Sequence, residues 1–290
     1  EIFEYCNYVT VMRDGHVIDT RPVEQLTRRE MVGMMVGRTI ENEYPERPHC
    51  VGGPLMKVEH LNTRKLHDIS FTLNQGEILG LVGLVGAGRT EIVRALYGAD
   101  KAKRKKIEMQ GREIKITSPQ DGKKNGMAFV PEDRKLQGLV LPFSVKANIS
   151  MASLKKMKKG IFLSREREQR LADEKIKELL IKTPSGSTVV ESLSGGNQQK
   201  CILGRWLETN PKILILDEPT RGIDVGAKYE IYMLMKKIVE TGSSIILISS
   251  ELPEVLNMSN RVLTVADGHI TGEFNPETAS AQEIMNKAIG

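Results

Sequence analysis

The stretch Glu77-Ile78-Leu79-Gly80-Leu81-Val82-Gly83-Leu84-Val85-Gly86-Ala87-Gly88-Arg89-Thr90 predicts a short aliphatic strand, a glycine-rich turn and the start of a helix. The glycines let the backbone turn its N–H groups inward, toward the positive N-terminus of the helix that follows. Four residues separate Gly83 from Gly88, which is the spacing of a phosphate-binding loop. Arg89 stands at the position where such loops carry lysine. The positive charge is therefore kept, but on a planar guanidinium group instead of an ammonium group.

The rest of the chain predicts the fold around this loop. The runs 212–216 and 244–248 are aliphatic and predict strands buried on both faces, and the segment 227–239 between them has helical spacing. The runs 56–61 and 69–73 alternate apolar with polar residues, as half-buried strands do. This pattern predicts an α/β fold with a largely parallel core sheet and an N-terminal antiparallel β portion.

The region between Pro131 and Leu193 is predicted to be helical. Ser164 is placed to cap a helix over 165–181, whose apolar side would carry Leu171, Ile176, Leu179 and Leu180. We therefore expect a helical lobe inserted in the α/β domain at about residues 135–205.

Two carboxylates follow the predicted strand 212–216. Asp217 would lie near a metal ion, to which Thr90 would add its hydroxyl, and Glu218 is placed to polarise an attacking water. Paired acids at a strand end are often only solvated. The phosphate loop upstream makes a catalytic role the better interpretation.

A second anion-binding helix start is predicted at Leu193-Ser194-Gly195-Gly196-Asn197-Gln198-Gln199-Lys200. Ser194 and the two glycines would present free N–H groups to an anion. Because the two helix starts are far apart in the sequence, we expect a nucleotide bound between two copies of the domain.

An internal repeat suggests a second copy. The segment 1–37 aligns without gaps on 254–290, pairing Asp14-Gly15-His16 with Asp267-Gly268-His269. We interpret residues 1–41 as the tail of a preceding homologous domain, 42–54 as a proline- and glycine-rich linker and 55–290 as a complete domain. The alternative is a swapped or permuted single domain.

Composition excludes several classes of protein. Aromatic residues make up only 4% of the 290 residues, which disfavours nucleic-acid binding by base stacking. The net charge of +5 is mild, and the run Lys101-Ala102-Lys103-Arg104-Lys105-Lys106 is interpreted as a solvated turn. Cys6, Cys50 and Cys201 are widely spaced and predict neither disulfides nor a zinc site. The apolar runs are far shorter than the ~20 residues that cross a bilayer, and no signal peptide is recognised, so we expect a cytoplasmic protein.

The three motifs together resemble the ATP-binding cassette of ABC transporters, over essentially all of residues 55–290. Asp224, in Pro219-Thr220-Arg221-Gly222-Ile223-Asp224, matches the loop that communicates across the dimer in that family. Gly88-Arg89-Thr90, the segment 195–200, Glu218 to Lys228 and Ser249 to Glu254 are most similar to the second cassette of the tandem ATPase of monosaccharide importers.

This resemblance implies a site made by Gly83, Gly86, Ala87, Gly88, Arg89, Thr90, Asp217 and Glu218 for ATP and Mg²⁺. Ser194, Gly195 and Gly196 would reach the nucleotide of the first cassette. It also implies a transmembrane permease as partner, a periplasmic or extracellular sugar-binding protein as an indirect one, and a place at the cytoplasmic face of the membrane.

The chain departs from the family pattern at Arg89, Glu132 and Ser250, and it also lacks an aromatic residue at the expected place; Arg89 replaces the lysine of the phosphate loop. Glu132 replaces a glutamine, Ser250 replaces the switch histidine, and no aromatic residue between His60 and Ile69 is available to stack on adenine. We expect slow hydrolysis at this site. Three alternatives remain open, namely a tandem ATPase acting on ribosomes, a nucleotide-binding module without turnover, and an importer ATPase for nucleosides.

Overall fold

The computed structural model describes residues 2–13, 15–36, 43–48, 51–160 and 162–290. Asp14, Gly37, Asn42 and Cys50, used in the sequence interpretation, lie outside the described residues. The helices are α1 (Ile2–Tyr5), α2 (Arg28–Val36), α3 (Arg89–Tyr97), α4 (Pro119–Lys124), α5 (Val145–Ser150), α6 (Arg165–Glu178), α7 (Gly195–Leu207), α8 (Val225–Glu240), α9 (Leu252–Met258) and α10 (Ala281–Ile289). The strands are β1 (Tyr8–Arg13), β2 (His16–Pro22), β3 (Pro54–Asn62), β4 (Ile69–Asn74), β5 (Ile78–Val82), β6 (Arg104–Met109), β7 (Arg112–Ile114), β8 (Met127–Val130), β9 (Lys158–Lys159), β10 (Phe162–Leu163), β11 (Ile213–Asp217), β12 (Ser244–Ile248), β13 (Arg261–Ala266) and β14 (His269–Phe274). Among the described residues, no helix combines the length and the hydrophobicity needed to span a bilayer.

A six-stranded sheet in the order β14-β13-β5-β12-β11-β8 forms the core. All neighbouring strands pair in parallel except β13 and β14. Every residue of β5, β8, β11 and β12 is buried, as their aliphatic sequences predict. Because parallel strands share one carboxyl edge, the loops after β5, β8, β11 and β12 all leave the sheet on the same side.

A second sheet, in the order β4-β3-β6-β7, is antiparallel throughout. A buried cluster joins it to the core sheet through α3, with Leu61, Leu73, Ile92 and Leu96 fully enclosed. This confirms the α/β class with an N-terminal antiparallel portion. The interpretation of the basic run 101–106 as a solvated turn was wrong: residues 101–103 are irregular and β6 starts at Arg104. Lys105 donates to the Ala95 carbonyl oxygen at 2.5 Å.

The lobe between β8 and β11 differs in detail from the prediction. Ser164 caps α6 through its hydroxyl, which accepts from the Arg167 N–H. The helix ends at Glu178 rather than at residue 181, and Leu180 takes a left-handed conformation (φ +51°) that leaves its side chain 69% exposed. The expectation that Leu180 belongs to the apolar side was therefore wrong. The short hairpin β9–β10 was not predicted, since it has only two residues in each strand.

The N-terminal segment consists of α1, the hairpin β1–β2 and α2, the same order as the end of the chain from α9 to α10. Residues 43–48 contact the main domain. The Tyr44 and Tyr232 rings are 5.1 Å apart, Arg47 donates to the Leu256 carbonyl oxygen, and Asn260 donates to the Pro48 carbonyl oxygen. The predicted linker is thus held against α8 and α9 where it is described.

Candidate functional site

The glycine-rich loop joins β5 to α3 at the carboxyl edge of the core sheet. Gly86 and Gly88 have φ values of +87° and +110°, which glycine adopts at little cost. A Cβ on Gly83 would lie 2.3 Å from the Val265 carbonyl oxygen, so a side chain does not fit there. Ala87 is buried, and its carbonyl oxygen accepts from the Gly268 N–H at 2.9 Å. The glycines are therefore required both by the turn and by the strand beside it.

The first turn of α3 is open to an anion. Gly88 precedes the helix in a left-handed conformation and provides no side-chain cap. The first N–H groups of a helix have no partner within it, and the macrodipole adds positive potential there. Thr90 stands in this turn. Gly86, Thr90 and Glu132 line one cavity of about 590 Å³ together with Arg64 and Lys65.

Arg89 points toward the neighbouring strand end. Its Nη1 donates to the Ser249 carbonyl oxygen at 3.1 Å, directly after β12. The guanidinium thus ties the phosphate loop to the segment that carries Ser250. The sequence predicted a positive charge here, and this contact depends on the tertiary structure.

Asp217 and Glu218 lie in different environments. Asp217 is 1% exposed, and within the described chain neither carboxylate oxygen has a donor in full hydrogen-bonding geometry. Burial raises the pKa of the Asp217 carboxyl group to about 7, and the negative charges of Glu132 and Glu218 raise it further. The neighbouring Thr90 hydroxyl lowers this pKa but does not offset the rise. A buried carboxylate without donors favours a bound cation.

Glu218 turns away from its neighbour because its backbone leaves the strand conformation. Its φ is +50°, and its N–H donates to the Ile248 carbonyl oxygen at 2.9 Å. A non-glycine residue in this region costs about 1–2 kcal/mol, and such strain is often found at functional sites. The Ser250 hydroxyl donates to Glu218 Oε2 at 3.0 Å. The structure thus brings these two predicted site residues into contact.

Glu132 lies after β8 at the same edge of the sheet. Its exposed carboxylate forms an ion pair with Arg221, in the loop after the acid pair. The neighbouring Arg134 donates to the carbonyl oxygens of Arg221 and Gly222 at 2.6 and 2.9 Å. No role for Arg134 was predicted from the sequence, and only the fold places it on this loop.

The second predicted anion site is well formed but separate. α7 begins after Ser194, whose hydroxyl accepts from the Asn197 side chain rather than from the backbone, so the first N–H groups of the helix lack a side-chain cap. Cβ atoms added at Gly195 and Gly196 would lie 2.8 Å from Arg134 Nη2 and 2.4 Å from Ala227 Cβ. Gly196 is therefore needed for the close approach of α7 to α8, whereas Gly195 leaves room for the Arg134 side chain and the Gly222 carbonyl oxygen.

Asp224 belongs to this second site. Its carboxylate caps α8 by accepting from the Ala227 N–H at 2.9 Å. Ser194, Gly196 and Asp224 line a cavity of about 720 Å³, to which Met12 and Met35 of the N-terminal segment also contribute. Neither the phosphate loop nor the acid pair lines this cavity.

Glu254 is a residue whose role the sequence did not indicate. It is fully buried in α9, and its Oε2 accepts from the Thr220 hydroxyl at 2.9 Å and from the Ser249 hydroxyl at 2.6 Å. It thereby joins the loop after Glu218 to the segment before Ser250. Burial raises its pKa to about 7, against the effect of these two hydrogen bonds. A glutamate inside an amphipathic helix gives no sequence signal of such a contact.

The residues fit a magnesium ion. The Thr90 hydroxyl and the Asp217 carboxylate are hard oxygen ligands, the kind that Mg²⁺ prefers, and within the described chain the buried oxygens of Asp217 have no donor in full hydrogen-bonding geometry. A glycine-rich loop with phosphate-loop spacing and two consecutive acids at the carboxyl edge of a parallel sheet are typical of P-loop nucleoside triphosphate-binding domains.

Comparison with known proteins gives the family. The model of the ABC transporter family matches residues 66–221, more than half of the chain. The chain belongs to this family.

Curated relatives match the chain over its whole length. It is 45% identical over 291 aligned residues to ribose import ATP-binding proteins of Bacillus cereus and Oceanobacillus iheyensis, covering 100% of this chain and 59% of each relative. A protein of Rhizobium etli, provisionally named a ribose/galactose/methyl galactoside import ATP-binding protein, is 46% identical, and the chain covers 56% of it. The chain thus spans between half and two thirds of the length of these relatives.

Solved structures support the fold. A nucleotide-free ATP-binding cassette of an ABC transporter superposes with a TM-score of 0.69 at 20% identity, covering 82% of this chain and 99% of that one. A structure of an ABC transporter cassette in its ADP conformation gives a TM-score of 0.66 at 20% identity, covering 80% of this chain and 93% of that one.

Proposed function

We propose that this chain is part of an ATP-hydrolysing subunit that powers the import of a simple sugar through a membrane permease. The observation that carries the proposal is the convergence of the phosphate loop, Asp217 and Glu218 at one edge of the core sheet. The names of the relatives support sugar as the cargo.

The chain's own residues divide the work. Backbone N–H groups of residues 83–90 hold the phosphate oxygens of ATP, and Arg89 adds positive charge beside them. Thr90 and Asp217 hold Mg²⁺, which when bound offsets the negative charge of the outer phosphates. Glu218 orients the attacking water and accepts its proton, while Ser250 holds the Glu218 carboxylate in place.

The departures from the family pattern favour slow turnover. A serine hydroxyl donates to Glu218 where a histidine would contact the outer phosphate, and Glu132 adds a negative charge where an amide is usual. Loss of one preorganised donor costs about 100- to 1,000-fold in rate. This nucleotide site therefore binds ATP and hydrolyses it slowly.

Ser194, Gly195 and Gly196 act in trans. Their cavity is separate from that of the phosphate loop, which favours binding of a nucleotide held by another cassette. Residues 1–41 are the tail of that first cassette in the same polypeptide, and Asp224 lies at the boundary between the two. Hydrolysis is faster at the first cassette's phosphate loop.

A groove between the core and the lobe binds the permease. Tyr97, Phe129, Pro131 and Trp206 line it, and Glu132 follows Pro131 directly. The protein works at the cytoplasmic face of the membrane as a peripheral subunit, with a periplasmic or extracellular sugar-binding protein on the other side. Nucleic acid is not a partner.

Calorimetry with ATP and Mg²⁺ tests the proposal. The chain is expected to bind the nucleotide, and Asp217→Asn is expected to weaken binding only when Mg²⁺ is present. Absence of nucleotide uptake would overturn the assignment. An ATPase rate equal to that of an ordinary complete cassette would contradict only the proposal that this site hydrolyses ATP slowly.

A further inference from the structure

A basic and apolar hairpin projects from the lobe. We call residues 154–163 the lysine hairpin; residue 161 lies outside the described part. Lys155, Lys158 and Lys159 are exposed, and β9 pairs Lys158 with Leu163 and Lys159 with Phe162. The Phe162 and Leu163 side chains are 72% and 53% exposed. Lys158 and Lys159 therefore each pair across the hairpin with a large apolar residue, and all four side chains are exposed.

The hairpin is fixed to the lobe. Met157 is buried in the lobe core, and its carbonyl oxygen accepts from the Ser164 N–H at 2.8 Å. Arg167 Nη1 donates to the Lys158 carbonyl oxygen at 2.8 Å. These contacts hold the exposed side chains outward, so that little ordering is needed for them to meet a partner.

The positive charge of the lysine hairpin is not compensated locally. Within the described part of the chain, no carboxylate forms an ion pair with Lys155, Lys158 or Lys159, whereas Lys156 pairs with Glu208 at 2.9 Å. Burial lowers the pKa of nearby Lys123, and the charges of Lys155 and Lys156 lower it further. A positive potential therefore extends from the hairpin.

The hairpin adjoins the groove proposed for the permease. Pro119 and Trp206 line that groove. Lys123, in the helix that Pro119 begins, donates to the Ala152 carbonyl oxygen, just before the hairpin. Lys156 reaches Glu208, two residues beyond Trp206. The lysine hairpin thus lies on the flank of the face that would meet the membrane-embedded partner.

We propose that the lysine hairpin binds the anionic headgroups of the cytoplasmic membrane leaflet, with Phe162 and Leu163 entering the interface. This inference rests on the proposed function, because the permease groove sets which face approaches the bilayer. Lysines attract anionic lipid headgroups, and an apolar side chain between them gains by leaving water. A nucleic acid fits less well, since Phe162 offers a single aromatic ring in place of a series.

Vesicle co-sedimentation tests the electrostatic part. The full 290-residue chain is mixed with vesicles of equal parts phosphatidylcholine and phosphatidylglycerol, or of phosphatidylcholine alone. Binding is expected only to the anionic vesicles. Replacing Lys155, Lys158 and Lys159 by glutamine should lower the partition coefficient about 100-fold at low salt, equivalent to about 1 kcal/mol per lysine.

A matched variant controls for net charge. Replacing Lys103, Arg104 and Lys115 by glutamine removes the same charge from exposed positions in and around the antiparallel sheet. This variant should bind vesicles nearly as the unchanged chain does. The proposal would be overturned if both triple variants lost vesicle binding equally, or if the hairpin variant lost none. It would also be overturned if single-stranded RNA competed for the chain more strongly than anionic vesicles do.

Fluorescence tests the apolar part. In Phe162→Trp, the fluorescence emission of the introduced tryptophan is expected to shift to the blue on anionic vesicles and to stay unchanged on neutral ones. Phe162→Ser should weaken binding to anionic vesicles about 10-fold. An unshifted tryptophan would overturn insertion. Nucleotide binding, measured in the same variants, should be unchanged, so failure here is distinguishable from failure of the ATPase assignment.

Discussion

Asp217 and Glu218 are consecutive, yet the first side chain is enclosed and the second is only half-buried. Asp217 ends a fully buried strand. Because the Glu218 backbone is left-handed, the Glu218 side chain turns toward Ser250. Two carboxylates that differ in this way are suited to different tasks, one to holding a cation and one to handling a proton. At the residue scale, the backbone of Glu218 separates the two roles.

Replacing Glu218 by glutamine tests its role. Glu218→Gln is expected to lower the ATPase rate about 100-fold or more, because the amide cannot accept the proton of the attacking water. Nucleotide affinity should change little. The rate is measured by phosphate release, with Glu113→Gln on exposed β7 as the control. An unchanged rate would favour a nucleotide-binding module without turnover at this site.

Glu254 predicts how stability depends on pH. Its folded-state pKa, raised from 4.5 to about 7 by burial, means that the folded protein binds the proton more tightly than the unfolded chain does. The contribution to the free energy of unfolding is fully present below pH ~4.5 and is lost as pH rises toward ~7, by about 3 kcal/mol at most. Glu251 and Lys228 face this carboxyl group and oppose each other.

The measurement is thermal unfolding of the protein and of Glu254→Gln at several pH values. The variant is expected to lose less stability between pH ~5 and ~8 than the unchanged protein, since glutamine does not titrate. Parallel curves would show that Glu254 does not titrate in this range.

Among the helices and strands, the starts of two helices are the candidate ligand-binding parts. α3 and α7 both begin after residues that give no side-chain cap to the backbone, and both therefore leave N–H groups for a ligand. α8 begins instead with Asp224 capping its own backbone. The packing of α7 against α8 requires glycine at position 196.

Gly196→Ala tests this packing. The added Cβ would lie 2.4 Å from Ala227 Cβ, so α7 must shift, and we expect a loss of about 1–3 kcal/mol in the free energy of unfolding. Urea denaturation measures it. At Gly53 an added Cβ meets no atom within 4 Å. Gly53→Ala should therefore change the free energy of unfolding by only a few tenths of the change expected for Gly196→Ala. Equal effects of the two variants would argue against close packing at Gly196.

At the scale of the whole molecule, the segment before the main domain is attached to it by residues 43–48. Tyr44 packs on Tyr232 of α8, and Arg47 bonds to the end of α9. Because α8 begins at Asp224 and α9 follows Ser250, this attachment touches the two helices that border both predicted nucleotide sites.

Tyr44→Ala is expected to lower the free energy of unfolding by about 1–2 kcal/mol, through lost ring contact and partly lost burial. Tyr8→Ala is the control, since the Tyr8 ring is 68% exposed. Chemical denaturation compares the two. If Tyr44→Ala is as mild as Tyr8→Ala, the attachment contributes nothing to the stability of the main domain.

Local sequence patterns were enough to predict the α/β class, the glycine-rich loop, the acid pair and the second helix start. Each of these depends on local features, namely glycine spacing, aliphatic runs and the chemistry of side chains that follow a strand. The end of α6 and the hairpin β9–β10 were missed because neither carries a periodic signal long enough to read.

Contacts between residues far apart in the chain could not be predicted in this way. Arg89 bonds to the end of β12, Arg134 to the loop after Glu218, and Glu254 joins Thr220 to Ser249. The two cavities are also separated by the fold alone. The physical reason is that a spacing along the chain fixes local backbone geometry, whereas contacts between distant loops depend on the order and the parallel direction of the strands that carry them.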